Sequence, residues 1–266
     1  MSLTPPARPQ VVAHRGSSES RPEHTLAAYR AAIAEGADAL ECDVRLTSDG
    51  HLVCVHDRRI NRVSNGRGIV STLELAELKA LDFAAWKGEN SQDAELPDTD
   101  RRGVLTLRRL LETVADADRP VQLAIETKHP TRYAGLVEHR LVELLDRFGW
   151  AHPRVGSSTP VRVMSFSQLS MRRIRQLAPS LPTVYLMEHT PVRFFNGDLP
   201  FGVGIAGPSI DIVRAHPKYV RRVHRAGHQV HVWTVDSDAD IKLCIDLGVD
   251  AIISNRPRAV LDALGR

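Results

Sequence analysis

Three cysteines, Cys42, Cys54 and Cys244, are all that the 266 residues provide. They are too few, and too apolar in their surroundings, for a disulfide or zinc framework, which leads us to expect a reducing, cytoplasmic setting. Aromatic residues are scarce at 5%. No apolar run approaches the roughly 18 residues of a membrane span, and the first ten residues lack the apolar stretch of a secretory signal. There is no block of one charge sign either. Basic and acidic residues, 35 against 32, are spread along the whole chain, too even a balance for a nucleic-acid footprint. Internal repeats, low-complexity tracts and an interdomain linker are also missing, so one domain over 1–266 is expected.

Apolar side chains are plentiful at 42% of the residues, enough to bury a full core. Short β-branched runs alternate with longer helical patterns, as parallel sheet built from βαβ units requires. Eight runs read as strands: 11–14, 39–43, 121–126, 161–165, 183–187, 203–206, 229–233 and 251–254. Eight such units predict a (β/α)8 TIM barrel. Between them, Leu26, Tyr29 and Ile33 repeat at helical spacing before Gly36, and Cys244 falls on the apolar stripe of a later helix.

The apolar run 52–56 follows the second strand after only a short connection around Thr47-Ser48-Asp49-Gly50-His51. A parallel partner needs a crossover of a dozen or more residues, so this run must return antiparallel as a hairpin. A turn centred between Asp49 and Gly50 would set Asp43 opposite His56. The hairpin and the polar residues after it form an insertion, about 44–103, between the second strand and its helix.

Barrel enzymes work at the C-terminal ends of their strands, so polar residues that end apolar strands are the candidates. Glu41 and Asp43 share one side of the second strand, and Glu126 and Lys128 share one side of the third. Three converging carboxylates raise one another's pKa unless a cation compensates them, and hard oxygen ligands suit one divalent cation, Mg²⁺ or Ca²⁺. Ion pairing with nearby Arg and Lys is the alternative use. Cleaving a phosphodiester requires a proton removed, a proton given and negative charge neutralised. His14 and His56 can move the protons, and Arg15 and Lys128 can hold the phosphate oxygens. Asp57 either orients His56 or pairs with an arginine, and His129 is read as lying outside the chemistry. Ser20 to Glu23 has the spacing of a helix capping box, which accounts for Glu23 without a site role.

The segments His14-Arg15-Gly16, Pro22-Glu23-His24-Thr25-Leu26, Glu41-Cys42-Asp43-Val44, Thr47-Ser48-Asp49-Gly50, His56-Asp57, Glu126-Thr127-Lys128, Ser165-Phe166 and Trp233-Thr234-Val235 together resemble the glycerophosphodiester phosphodiesterase family. The resemblance implies cleavage of a small glycerophosphodiester to glycerol 3-phosphate and an alcohol, with Glu41, Asp43 and Glu126 as metal ligands. It also implies His14 and His56 as acid and base, Arg15 and Lys128 on the phosphate, and Trp233 as an apolar wall for the glycerol; barrel packing would explain Trp233 equally. The family usually carries Asn in place of His24 and Asp in place of Asn255. The first departure puts polar contacts from that loop in doubt, and the second touches the end of the last strand.

Related barrel phosphodiesterases act on larger lipids, but so few aromatics and no amphipathic membrane segment favour a soluble diester. A non-catalytic phosphate-binding barrel would be expected to have lost a histidine or a carboxylate, and all five are present.

Overall fold

The computed structural model describes residues 8–87, 93–153, 159–189 and 194–266. Nine strands form one sheet: β1 (Gln10–His14), β2 (Ala39–Leu46), β3 (Leu52–Cys54), β4 (Gln122–Thr127), β5 (Val161–Ser165), β6 (Thr183–Met187), β7 (Ile205–Pro208), β8 (Gln229–Val232) and β9 (Ala251–Ser254). All except β3 are parallel, and β1 pairs with both β2 and β9, which closes an eight-stranded barrel. The expected strand 203–206 begins two residues later, because Val203 ends a 3-10 turn over Pro200–Gly202. The second strand runs to Leu46, beyond the expected 43, because its end gains β3 as a partner.

Ten helices are described: α1 (Leu26–Glu35), α2 (Leu75–Lys79), α3 (Asp98–Arg101), α4 (Leu107–Ala115), α5 (Leu136–Arg147), α6 (Gln168–Leu177), α7 (Ile210–Ala215), α8 (Lys218–Arg225), α9 (Asp238–Leu247) and α10 (Pro257–Ala263). In α4 the buried residues Leu107, Leu110, Leu111 and Val114 recur on one face and pack on the barrel's outer wall. Helix α1 starts at Thr25, whose hydroxyl accepts from Ala28 N, a cap that contributes about 1 kcal/mol. The expected capping box at Ser20 is therefore absent. Ser20 Oγ instead donates to Ser17 O, and Glu23 is drawn to arginines. No helix among the described residues is long and apolar enough to cross a membrane.

The strands are covered on both sides, so they read as continuous apolar runs rather than alternating ones. Alternation reappears in where the side chains go. Val12, Ala39, Ala124, Met164, Leu186 and Ile253 fill the barrel interior. Two residues further along the same strands come His14, Glu41 and Glu126, and one more such step reaches Asp43 and Lys128. The two-residue period thus lifts the polar groups onto the rim above an apolar floor.

Strand β3 returns antiparallel, as expected, but one residue out of the expected register. Leu46 pairs with Leu52, Arg45 with Val53 and Val44 with Cys54, and Val55 N donates to Asp43 O at 3.0 Å. Val55, not His56, therefore lies opposite Asp43. The cause is a three-residue turn, Ser48-Asp49-Gly50, in which Gly50 takes φ +84° and Thr47 N donates to His51 O. Beyond β3, Val53, Val55, Ile60, Val70, Leu78 and Phe83 form a separate apolar cluster that anchors the insertion beside the mouth. Residues 88–92 of the insertion lie outside the described residues.

Gly16 follows β1 with φ +84°, and a Cβ there would lie 2.6 Å from the Ala28 carbonyl carbon. Helix α1 presses directly on the turn that carries His14 and Arg15. Gly16→Ala is expected to cost more than about 2 kcal/mol, from a left-handed penalty of about 1–2 kcal/mol plus the clash. Gly50→Ala, where a Cβ meets only Arg140 Nε at 4.0 Å, carries the backbone penalty alone. Urea denaturation of the two variants checks this, and equal losses would contradict the close approach of α1.

Candidate active site at the barrel mouth

Three carboxylates meet at the rim. Each of Glu41, Asp43 and Glu126 offers an oxygen, and these atoms lie within 4.8 Å of one another, all buried. Sheet register brings this about, since Asp43 sits directly beside Glu126, and Glu41 beside His14. Cations surround the cluster unevenly. Lys128 Nζ is 2.8 Å from Glu126 and 3.3 Å from Asp43, while Arg15 Nε is 3.2 Å from Asp43. His24 Nε2 lies 2.9 Å from Asp43 Oδ2, with Nδ1 2.8 Å from the Tyr29 hydroxyl. The histidine in place of the usual Asn thus keeps a polar contact from that loop, with Asp43 as its partner.

The uneven compensation separates the three acids. Burial pushes the Asp43 carboxyl up, but Lys128, the hydrogen bond from His24 and Arg15 outweigh it and hold it well below the usual range. Burial and then the Asp43 charge raise Glu41 well above its ordinary value. The same two causes push Glu126 up to about 8. Arg15 and Lys128 therefore do not neutralise the cluster. A divalent cation is the partner such a hard, buried, under-compensated oxygen set would take, and Glu41, Asp43 and Glu126 fit it.

The histidines stand on either side. His14 Nδ1 is 2.7 Å from Asn255 Oδ1, and Asn255 Nδ2 donates to Asp236 Oδ2 at 2.6 Å. Asp236 accepts only, so the amide must turn its oxygen to His14, and His14 must carry its proton on Nδ1. Its Nε2 keeps a lone pair, 3.9 Å from Glu41 Oε2. Burial, then the neighbouring Arg15 charge, depresses the His14 pKa to about 3. The family's usual Asp is replaced here by an amide that fixes the tautomer without adding charge beside the ring. His56 Nδ1 is held by Asp57 Oδ1 at 2.7 Å, and Arg62 binds the other Asp57 oxygen. Asp57 thus both orients the imidazole and pairs with an arginine. Burial, with Arg15 and Lys128, lowers the His56 pKa against the pull of Asp43.

A cavity of about 80 Å³ opens among these groups, with His14, Arg15, Glu41, His56, Glu126 and Lys128 on one side. Apolar side chains, Met164, Leu186, Ile253, Trp233 and Phe166, form the other side. His56 reaches the cavity in spite of the shifted hairpin register, because the chain turns after Cys54 and Arg45 grips the His56 carbonyl at 2.9 and 2.7 Å. Trp233 belongs both to the barrel packing and to the cavity wall. Its Nε1 donates to Gly207 O and its ring packs on the barrel interior, while the same ring meets Phe166 edge-on at 5.2 Å on the cavity wall.

Several supporting residues escaped sequence reasoning. Glu23 accepts from Arg15 and, in bidentate fashion, from Arg62, which tie it to both histidine segments. Arg45 alternates into the hairpin as an ordinary polar position, with nothing to single it out. Phe166, 40% exposed, directly follows β5 and lies in the Ser165-Phe166 segment that carries the resemblance, but nothing in the sequence assigned it a role of its own. His129 stays outside the cavity and binds Glu138 at 2.9 Å.

Residues 14–259 match the Glycerophosphoryl diester phosphodiesterase family. The chain is 48% identical over 251 residues to a probable glycerophosphodiester phosphodiesterase 1 of Mycobacterium tuberculosis, covering 94% of this chain and 90% of that protein. It is 34% identical over 264 residues to the glycerophosphodiester phosphodiesterase of Bacillus subtilis, covering 96% and 86%. Among solved structures, an Oleispira antarctica phosphodiesterase in complex with the product sn-glycerol-3-phosphate is similar with a TM-score of 0.80, at 25% identity and with 97% and 98% of the two chains covered. The chain belongs to the glycerophosphoryl diester phosphodiesterase family, enzymes of the phosphoric diester hydrolase class.

Proposed function

We propose that this protein hydrolyses small glycerophosphodiesters to glycerol 3-phosphate and an alcohol, using one divalent cation held by Glu41, Asp43 and Glu126. The observation that carries this reading is the buried carboxylate cluster lying between two imidazoles whose Nδ1 atoms are both engaged. When bound, Mg²⁺ or Ca²⁺ would neutralise charge on the phosphodiester oxygens. Arg15 and Lys128, already aimed at the same point by Asp43, add charge-assisted hydrogen bonds to those oxygens.

The two imidazoles differ in a way that divides the proton work. His14, neutral and held by an amide, accepts the proton of the attacking hydroxyl at Nε2. His56 has a carboxylate behind it, and an anionic diester in front would favour its protonated form, so it delivers a proton to the leaving alcohol. Trp233 and Phe166 offer the glycerol carbons an apolar wall and exclude water from that side. A cytoplasmic setting belongs to the same reading and is supported by three buried cysteines in the thiol form.

Purified protein should release glycerol 3-phosphate from glycerophosphocholine, and chelation should abolish turnover until Mg²⁺ or Ca²⁺ is returned. Full activity in chelator, with no metal found by elemental analysis, would defeat the metal assignment. His14→Ala and His56→Ala should each lower kcat by roughly two to four decades while the circular dichroism spectrum is kept. Near-normal turnover in either variant would make that histidine structural. If the glycerol hydroxyl next to the phosphate is the first nucleophile, phosphorus NMR of the wild-type reaction should reveal a transient cyclic phosphate. A spectrum with product alone would favour direct attack by water.

A further inference from the structure

The barrel carries charge at both ends of its interior, and among the described residues only the mouth supplies opposite charges for it. Arg162 on β5 lies beside Ala124 and two residues before Met164; His231 on β8 lies beside Ala251. Ala124, Met164 and Ala251 all belong to the interior cluster, so Arg162 and His231 point inward at the end opposite the carboxylates. They are 5% and 4% exposed. Arg162 Nη1 donates to Gln122 Oε1 at 3.0 Å, and the same oxygen accepts from Gln10 Nε2 at 3.1 Å.

The rest of the guanidinium has no partner among the described residues. Arg162 Nε and Nη2 are buried without a hydrogen bond, and so is His231 Nδ1. Nε–H and an Nη2–H lie on one edge of the guanidinium and together grip a single acceptor. No acid acts on Arg162: burial alone lowers its pKa, to about 10, which leaves it charged at neutral pH. Burial, with the Arg162 charge, holds His231 well below its ordinary value, so the imidazole adds no second charge. The segments outside the described residues contribute one acidic side chain, Glu89. Its chain neighbours Lys87 and Asp93 bind Ser18 and Arg21, at the mouth end. A buried, unpaired cation is strongly unfavourable, and proteins supply it with a counter-charge.

We propose that the barrel floor is a binding site for a small monovalent anion of the halide class, gripped by Nε and Nη2 of Arg162 beside His231. A halide fits better than phosphate because the side chains above, among them Val184, Ile205 and Ala251, are apolar and offer no donors for further oxygens. The rim of Gln10, Gln122 and Gln229 is partly open to solvent and gives an uncharged route in.

The test is the melting temperature in chelator, with chloride exchanged for methanesulfonate at constant sodium and ionic strength, so that the mouth and its metal play no part. Wild type should gain about 3 °C per tenfold rise in chloride above the dissociation constant. Arg162→Met should lose that slope, and Arg108→Gln, on the outer surface, should keep it. Crystals soaked in bromide should show an anomalous peak beside Arg162 Nε and Nη2, a measurement that holds even if Arg162→Met does not fold. A wild-type melting temperature insensitive to chloride, or a bromide map without that peak, would mean that water alone solvates the guanidinium and would overturn the site.

Discussion

Much of this architecture follows from the need to keep Asp43 charged inside a buried rim. An isolated carboxylate there would be strongly unfavourable. Arg15, Lys128 and His24 converge on it from the end of β1, the end of β4 and the loop before α1. Each of those partners is fixed in turn: Arg15 by Glu23, Lys128 by Glu126, and His24 by the Tyr29 hydroxyl. The result is a centre with one firmly ionised acid and two reluctant ones, the electrostatic condition under which a divalent cation is welcome.

The histidines depend on a different kind of support. His14 is oriented by an amide that is itself oriented by Asp236, and the amide also accepts from Ser18. Backbone contact settles the rest, since Gly16 lets α1 come close enough for Ser17 N to donate to Ala28 O. On the far side Arg45 grips the His56 carbonyl, and the insertion's own apolar cluster keeps the hairpin from swinging away. Buried apolar side chains at about 1.5–3 kcal/mol each make that cluster a substantial anchor.

The two ends of the interior show one physical rule with different answers. At the mouth, positive and negative side chains are both supplied by the chain. At the floor, Arg162 meets, among the described residues, amide oxygen and a neutral imidazole. The apolar layer between them, from Val12 to Ile253, keeps the two fields apart.

The amino-acid sequence by itself determined the eight strands, the antiparallel sense of β3 and the polar residues toward the C-terminal ends of the strands, including His14, Glu41, Asp43 and Glu126. These are local properties, because a strand's period and the length of a connection are written within a few residues. Tertiary structure decided what touches what. The hairpin register turned on Gly50 taking a left-handed conformation, which moved Val55 to the place expected for His56. The links from His24 to Asp43, from Arg45 to the His56 carbonyl and from Asn255 to His14 join separate elements. The last spans 241 residues and exists only because the barrel closes β9 against β1. No local pattern signals such a contact, since its partners are chosen by the geometry of closure and not by the residues beside them in the chain.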